Sequence, residues 1–341
     1  MIGDVLTSSI LFEVLRQKYP QAELHYLINS NTYPVVENNP FIDDYIFFTE
    51  KERRITALFK LGYAVRKQKY DIVIDVYCKL SSNIITALSK AKTRISYYKH
   101  YATLFYTHNI KRKTSGTQLA IVNRLQLLSV LGIEAEVIKP KIYLESEEIE
   151  IQKAYLESHN IDLKKPLYMI SVLGSGENKT YPLKYMAEVI DQVVKETQGQ
   201  ILFNYMPHQK EAAKTVYDLC ESATKAKIYL DVFGKTLREF LAITKHCKAV
   251  IGNEGGAINM AKALNINTFA IFSPWITKET WGVFEDETSH ISVHLKDYKR
   301  ELFEKGEGKK RKSEVDPLYD LFKPSKFINA LKQFLNATRN D

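Results

Sequence analysis

The chain has 341 residues, 45% hydrophobic and 26% charged, with a formal net charge of +8. That length exceeds what one core usually fills and predicts two domains; no stretch approaches the ~18 apolar residues of a membrane span, and Asp4 and Glu13 interrupt the only candidate leader. Cys78, Cys220 and Cys247 are odd in number and lack histidines at ligand spacing, which argues against disulfides or zinc and fits a cytoplasmic protein, while the positive charge favours anionic partners such as nucleotide diphosphates, acidic lipid headgroups or nucleic acid.

In chain order, Leu6, Ile10 and Val14 recur at helical spacing until Pro20 stops the run. Glu23 to Ile28 and Tyr45 to Phe48 read as strands, Arg54 to Gln68 as a basic helix, and Asp71 to Val76 as a short, apolar, buried strand. The alternation continues through Ala87 to Ile95 and a helix around Val122 to Leu131, predicting an α/β domain whose parallel sheet is covered on both faces. Glu145 to Asn160 reads as a solvated helix with Ser146 as N-cap. Lys164-Lys165-Pro166 breaks the chain before a second series, with strands at Leu167 to Val172, Ile201 to Asn204, Ile228 to Leu230 and Ala249 to Ile251. We therefore divide the chain into domains 1–150 and 151–341. The basic segment Lys305 to Lys312 reads as a solvated loop, with a membrane-touching patch as the alternative.

Val250 to Leu264 is an apolar strand, a Gly-rich turn and a helix. Such a turn aims free backbone N–H groups and the positive helix end at a diphosphate, although two glycines also simply permit a tight turn. Glu254 is placed to accept from ribose or sugar hydroxyls, and Asn259 to donate to a phosphate. A second loop, Leu173 to Pro182, combines glycines, Ser175 and Lys179 in a composition suited to an anion. It is neither a Walker A loop nor a complete dinucleotide fingerprint. Asp4, at the mouth of the first helix, is either its cap or a general base for a sugar hydroxyl. Asp71 and Asp75 read as structural, His208 as a loop histidine without a partner, and Trp275 and Trp281 as packing residues.

Together, Ile2-Gly3-Asp4-Val5-Leu6, Lys179-Thr180-Tyr181-Pro182 and the block from Gly252 to Leu264 with Phe269 to Pro274 resemble the family 9 glycosyltransferases, the lipopolysaccharide heptosyltransferases among them. The resemblance implies the GT-B architecture: two Rossmann-like domains whose parallel sheets face a central cleft, an N-terminal acceptor side and a C-terminal donor side. It implies an inverting transfer without metal or cofactor, from a nucleotide-sugar donor, ADP-heptose foremost, to a lipopolysaccharide core or related glycolipid. Asp4 would be the base, Ser175 and Lys179 would grip the diphosphate, and Glu254, Gly255, Gly256 and Asn259 would line the donor site. The chain departs from the usual pattern at three places: Tyr181 stands for tryptophan, Glu254 for aspartate and Asn259 for histidine. No Asp-x-Asp occurs to hold a metal. The implied location is the cytoplasm, with peripheral contact to anionic lipid of the inner membrane. Nucleic acid is set aside for want of a motif. Two other functions stay open: a GT-B nucleotide-sugar epimerase or hydrolase, and a catalytically silent nucleotide-sugar binder.

Members of that family carry an apolar strand before Gly-Asp, whereas here Met1 lies three residues before Asp4. The first sheet is therefore expected to lack that strand, leaving a gap or exposed edge beside Asp71 to Val76 and a poorly anchored Asp4. The corresponding expectation is that the native protein begins upstream, with Met1 an internal residue.

Overall fold

In the computed structural model, which describes residues 1–286, 288–303 and 315–338, all strand pairs are parallel. The Lys305 to Lys312 segment lies outside the described residues. The chain divides into two units, Met1–Pro140 and Lys141–Asp341.

The first unit opens with α1 (Ile2–Ser8) and α2 (Ile10–Lys18), which meet at Ser9. It continues through β1 (His25–Asn29), β2 (Asp44–Phe48), α3 (Ile55–Lys67), β3 (Ile72–Asp75), α4 (Leu80–Ser89), β4 (Thr93–Tyr97), β5 (His108–Ile110) and α5 (Leu119–Gln126). Its strands form two separate sheets, β1-β2 and β3-β4-β5. Each is a short parallel ribbon, and β3 has a free edge among the described residues. This corrects the expectation of a buried strand: Ile72 is 38% exposed and Asp71 is exposed as well. Apolar composition had promised burial, but burial also requires a neighbouring strand, and β3 pairs only with β4 among the described residues. The helices pack closely nonetheless. A Cβ on Gly62 of α3 would approach Leu88 Cδ1 of α4 to 2.5 Å, so the glycine permits the contact.

The second unit contains α6 (Ser146–Ser158), β6 (Leu167–Ser171), α7 (Leu183–Thr197), β7 (Gln200–Asn204), α8 (Lys210–Leu219), α9 (Ser222–Lys225) and β8 (Ile228–Tyr229). Then follow α10 (Leu237–Thr244), β9 (Ala249–Asn253), α11 (Gly256–Ala263), β10 (Asn267–Ile271), α12 (Lys278–Trp281), β11 (His290–Val293), α13 (Val315–Asp320) and α14 (Ile328–Ala337). The sheet order is β11-β10-β9-β6-β7-β8. All five residues of β6 are buried, as expected of a central parallel strand covered on both faces. From α7, Met186, Val189, Ile190, Val193 and Val194 supply a stripe at helical spacing to the core. Phe322, Phe327 and Phe334 from the end of the chain close the same core.

The division at Pro140 falls before the position expected near 150, because α6 belongs to the second unit. Arg238 of α10 donates to Glu148 Oε1 at 2.7 Å and to the Tyr143 carbonyl at 2.9 Å. Glu148 also accepts the Glu145 N–H at 2.8 Å, so Glu145, rather than Ser146, occupies the N-cap position. Among the described residues no helix is long and apolar enough to cross a membrane.

Gly252, near the end of β9, has φ +127°, and an added Cβ would lie 2.5 Å from the Ser171 carbonyl oxygen of β6. Neither backbone can retreat without breaking the central strand pair. Gly252→Ala is expected to destabilise the protein by about 1–3 kcal/mol in urea unfolding. An unchanged midpoint would contradict this close approach.

Candidate functional site

The central strands β6 and β9 run side by side, with Ser171 opposite Gly252, so the loops that follow them emerge together at the carboxyl edge of the sheet. Ligands of open α/β sheets bind at that edge. The Asn253 side chain joins the two loops. Its Nδ2 donates to the carbonyls of Ser171 at 2.9 Å and Val172 at 2.8 Å, and its Oδ1 accepts the Tyr181 N–H at 2.6 Å. At 1% exposure no water competes for these bonds.

The 173–182 loop is closed on itself. The Gly174 N–H donates to Thr180 Oγ1 at 3.1 Å, Thr180 donates onward to the Gly176 carbonyl at 3.0 Å, and Gln209 holds the Gly174 carbonyl at 2.9 Å. A side chain at Gly174 would reach within 2.3 Å of the Lys179 carbonyl oxygen. The segment after β10 supports the loop from the side: Ser273 Oγ and Trp275 Nε1 each donate to the Asn178 carbonyl at 2.7 Å. Lys179 Nζ lies 5.6 Å from the centre of the Trp275 ring. Ser175, Gly176, Glu177, Asn178, Lys179 and Trp275 line an open depression of about 520 Å³. Trp275, expected to be a packing residue, is thus a wall of the site as well.

On the β9 side, Gly255 is extended and α11 begins at Gly256, so the first N–H groups of α11 have no partner within the helix. Asn259 donates to the Gly255 carbonyl at 3.1 Å, one turn back, and keeps its second N–H. Glu254 is half-buried. Burial pushes its carboxyl group upward, while Lys179 and Lys262 pull it down. Lys262 is only 3% exposed, and its ammonium donates to the Val283 carbonyl at 2.7 Å. Burial lowers it to about 8, opposed by Glu285, Glu254 and Asp286. The site therefore couples one carboxylate to two ammonium groups, of which Lys179 is the one at the open depression. Tyr181 is fully buried against Tyr319, Phe322 and Phe327, and serves as the anchor of its loop.

In the first unit, Asp4 sits in the first turn of α1, where Met1 occupies the cap position. It is not a side-chain cap, and it is not poorly anchored. Arg124 Nη2 donates to Asp4 Oδ1 at 3.0 Å, and the same buried guanidinium holds Ser8 Oγ at 2.8 Å and the Ala120 carbonyl. Asp4 remains 36% exposed, and its second oxygen, Oδ2, lies 3.8 Å from the Met1 ammonium. Asp75 is structural as expected: one carboxylate oxygen accepts the N–H groups of Tyr77 and Cys78 and the other the Tyr106 hydroxyl. His208 lies in an exposed 3₁₀ turn, beside the Gln209 that holds the Gly174 carbonyl.

Sequence reasoning overlooked Arg124, Asn253 and Lys262. Arg124 and Lys262 carry a visible signal, a lone cation inside an otherwise apolar helical run, which must find oxygen partners when buried. Among the described residues no group of three His, Cys, Asp or Glu side chains is gathered as a metal site would require.

A parallel, Rossmann-like sheet with two glycine-containing loops side by side at its carboxyl edge defines the class of open α/β proteins, whose ligands bind at that edge. Residues 58–310 match the profile of glycosyltransferase family 9 (heptosyltransferase), so the chain belongs to this family and is a glycosyltransferase of GT-B fold. It is 22% identical over 289 residues to lipopolysaccharide heptosyltransferase 1 of Campylobacter coli, covering 80% of this chain and 81% of that protein. The crystal structure of a family 9 glycosyl transferase from Veillonella parvula superposes with a TM-score of 0.80 at 19% identity, covering 98% and 94% of the two chains. An Escherichia coli heptosyltransferase solved with ADP-2-deoxy-2-fluoro heptose gives a TM-score of 0.65 at 15% identity, covering 86% and 90%.

Lys262 makes a prediction about pH. Its folded value, near 8, lies below the ordinary 10.5, so between these limits the unfolded chain binds a proton that the folded protein has shed. Stability from this group therefore rises with pH across that window. The stability of wild type relative to Lys262→Met should increase by up to about 3 kcal/mol between pH ~7.5 and ~10.5, read by denaturant unfolding at both values. A difference that does not change with pH would show that the ammonium is not held in the described environment.

Proposed function

We propose that the protein is an inverting, metal-independent heptosyltransferase that carries its nucleotide-sugar donor, ADP-heptose foremost, on the second unit and transfers the sugar to a glycolipid acceptor. The observation that carries this reading is the juxtaposition of Lys179 with the Glu254 to Gly256 turn through Asn253. The ADP-heptose analogue held by the similar E. coli enzyme supports the choice of donor. Lys179, Ser175 and the N–H groups of the Gly255 turn are assigned to the diphosphate. Glu254 is assigned to donor hydroxyls, and Asn259 to a phosphate through its remaining N–H. The first unit, within residues 1–150, is assigned to the acceptor. The site of action is the cytoplasmic face of the inner membrane.

In this mechanism Asp4 removes the proton from the acceptor hydroxyl. The hydroxyl oxygen forms the new bond at the anomeric carbon, and the bond to the nucleoside diphosphate breaks with inversion. Arg124 orients the Asp4 carboxylate through Oδ1, so the proton is assigned to Oδ2. The charge gathering on the leaving diphosphate falls against Lys179 and the backbone N–H groups, which supply compensation where a metal otherwise would. An Asp-x-Asp pair to hold such a metal is missing from the sequence.

Thermal-shift measurements with ADP-, GDP-, UDP- and dTDP-sugars test donor choice, because a ligand specific to the folded state raises its stability. ADP-heptose is expected to give the largest shift, and a larger shift from another nucleotide would overturn the assignment. Lys179→Ala should weaken diphosphate binding roughly tenfold or more while sparing the bare nucleoside, in keeping with loss of a charged hydrogen bond. Equal weakening of both ligands would remove Lys179 from the phosphate site.

Asp4→Asn should lower turnover by ~10²- to 10⁴-fold with donor affinity nearly intact, since the amide keeps the size but loses the basicity. Turnover should persist in chelator. Near wild-type turnover in Asp4→Asn, or abolition by chelator, would refute the base or the metal-free step respectively.

A further inference from the structure

Helix α3 carries two apolar faces. Leu58, Gly62 and Val65 are buried in the unit, with Leu61 packed beside them. Ile55, Phe59 and Tyr63, each one turn after the last, are 60%, 40% and 51% exposed. A helix on a globular surface normally turns polar residues outward, and a continuous exposed stripe of this kind marks an interaction surface.

The charges beside the stripe identify the partner. From Arg53 to Tyr70 the sequence has six basic residues and no acidic one. Lys60 and Lys67, two turns apart, project near the Tyr63 side of the stripe, and Arg66 lies between Ile55 and Phe59 around the helix axis. Among the described residues these three cations are exposed and hold no ion pair. An apolar ridge flanked by unpaired cations is complementary to a surface that is anionic outside and apolar beneath. A second copy of this chain would oppose like charges, and a nucleic acid would leave Ile55 in water.

We propose that the outer face of α3 docks on an anionic lipid bilayer, with Ile55, Phe59 and Tyr63 entering the interface and Lys60, Arg66 and Lys67 meeting lipid phosphates. An amphipathic helix binds in this way when apolar burial and electrostatic attraction act together. Each juxtamembrane Lys or Arg adds about 1 kcal/mol, so the contact is reversible and sensitive to salt. Its use in catalysis rests on the proposed glycolipid acceptor, whereas the binding does not.

The test is co-sedimentation of the full chain with vesicles of phosphatidylethanolamine and phosphatidylglycerol, and with vesicles of phosphatidylcholine alone. Binding to the anionic vesicles that weakens with salt is expected, with little binding to the zwitterionic ones. Lys60→Gln with Lys67→Gln should weaken binding by more than tenfold, and Ile55→Ser should weaken it without restoring zwitterionic binding. All three side chains are exposed, so melting temperatures and the donor-induced thermal shift should remain those of wild type. Failure of wild type to bind anionic vesicles, or undiminished binding by the variants, would overturn the proposal. Equal affinity for RNA and for the vesicles, with Ile55→Ser silent in both, would assign the helix to nucleic acid instead. Loss of vesicle binding with an intact donor shift removes only this surface, while vesicle binding without any donor shift removes only the proposed donor assignment.

Discussion

The candidate donor site depends on one side-chain amide. Asn253 makes three hydrogen bonds at the carboxyl end of the sheet, joining the end of β6, its own strand β9 and the Lys179 loop. A buried amide has two donors and one acceptor of fixed geometry, and here each is used. Removing it would leave two carbonyls and one N–H without partners in a dry place, at a cost exceeding the mean worth of the bonds. The loop thus has little freedom to lose when an anion arrives. Gly174, Thr180 and Gln209 make the same contribution from the outer side. Preorganisation of this kind shifts the cost of ordering from binding to folding.

Charge around that scaffold is arranged in layers. Lys179 stands at the open depression against Trp275, Glu254 is half-buried behind it, and Lys262 is buried beneath the turn. Burial alone would drive Glu254 toward its neutral form and Lys262 toward free amine. Each opposes that tendency in the other, with Glu285 and Asp286 adding to the balance on Lys262. Glutamate at position 254, in place of the aspartate usual in the resemblance, carries one more methylene. Lys179, and after it Lys262, are the cations that oppose the burial of this longer carboxylate.

Much of the second unit was legible because the rules for a central parallel strand are local. The apolar runs at Leu167, Ile201 and Ala249 each became buried strands of one sheet. The strand-turn-helix at Val250 to Leu264 likewise kept its order. The residues that escaped notice are those whose role comes from a distant partner. Trp275 reads as packing until the Asn178 carbonyl is seen beneath its indole N–H, and Arg124 gains meaning only from Asp4, 120 positions away. In the first unit the same locality misled. Ile72 to Asp75 has the composition of a buried strand, but composition does not guarantee a neighbour on both sides.

The first unit also shows how order can arise without a continuous sheet. Its two ribbons, β1-β2 and β3-β4-β5, share no ladder, so hydrogen bonding between strands cannot hold them in register. The connection comes from side chains instead. Leu27 and Ile46 from one ribbon pack with Leu58 and Val65 of α3 and Ile85 of α4, and α4 in turn lies against β3 of the other ribbon. Arg124 has an equivalent role at the other end, drawing α1 and α5 together through Asp4 and Ser8. A guanidinium is suited to this task because its rigid fork satisfies several acceptors without requiring them to be neighbours in sequence. The carboxylate proposed as the base is thereby fixed by the same contact that fastens its helix, and the position of Asp4 follows from the folding of residues more than a hundred positions downstream.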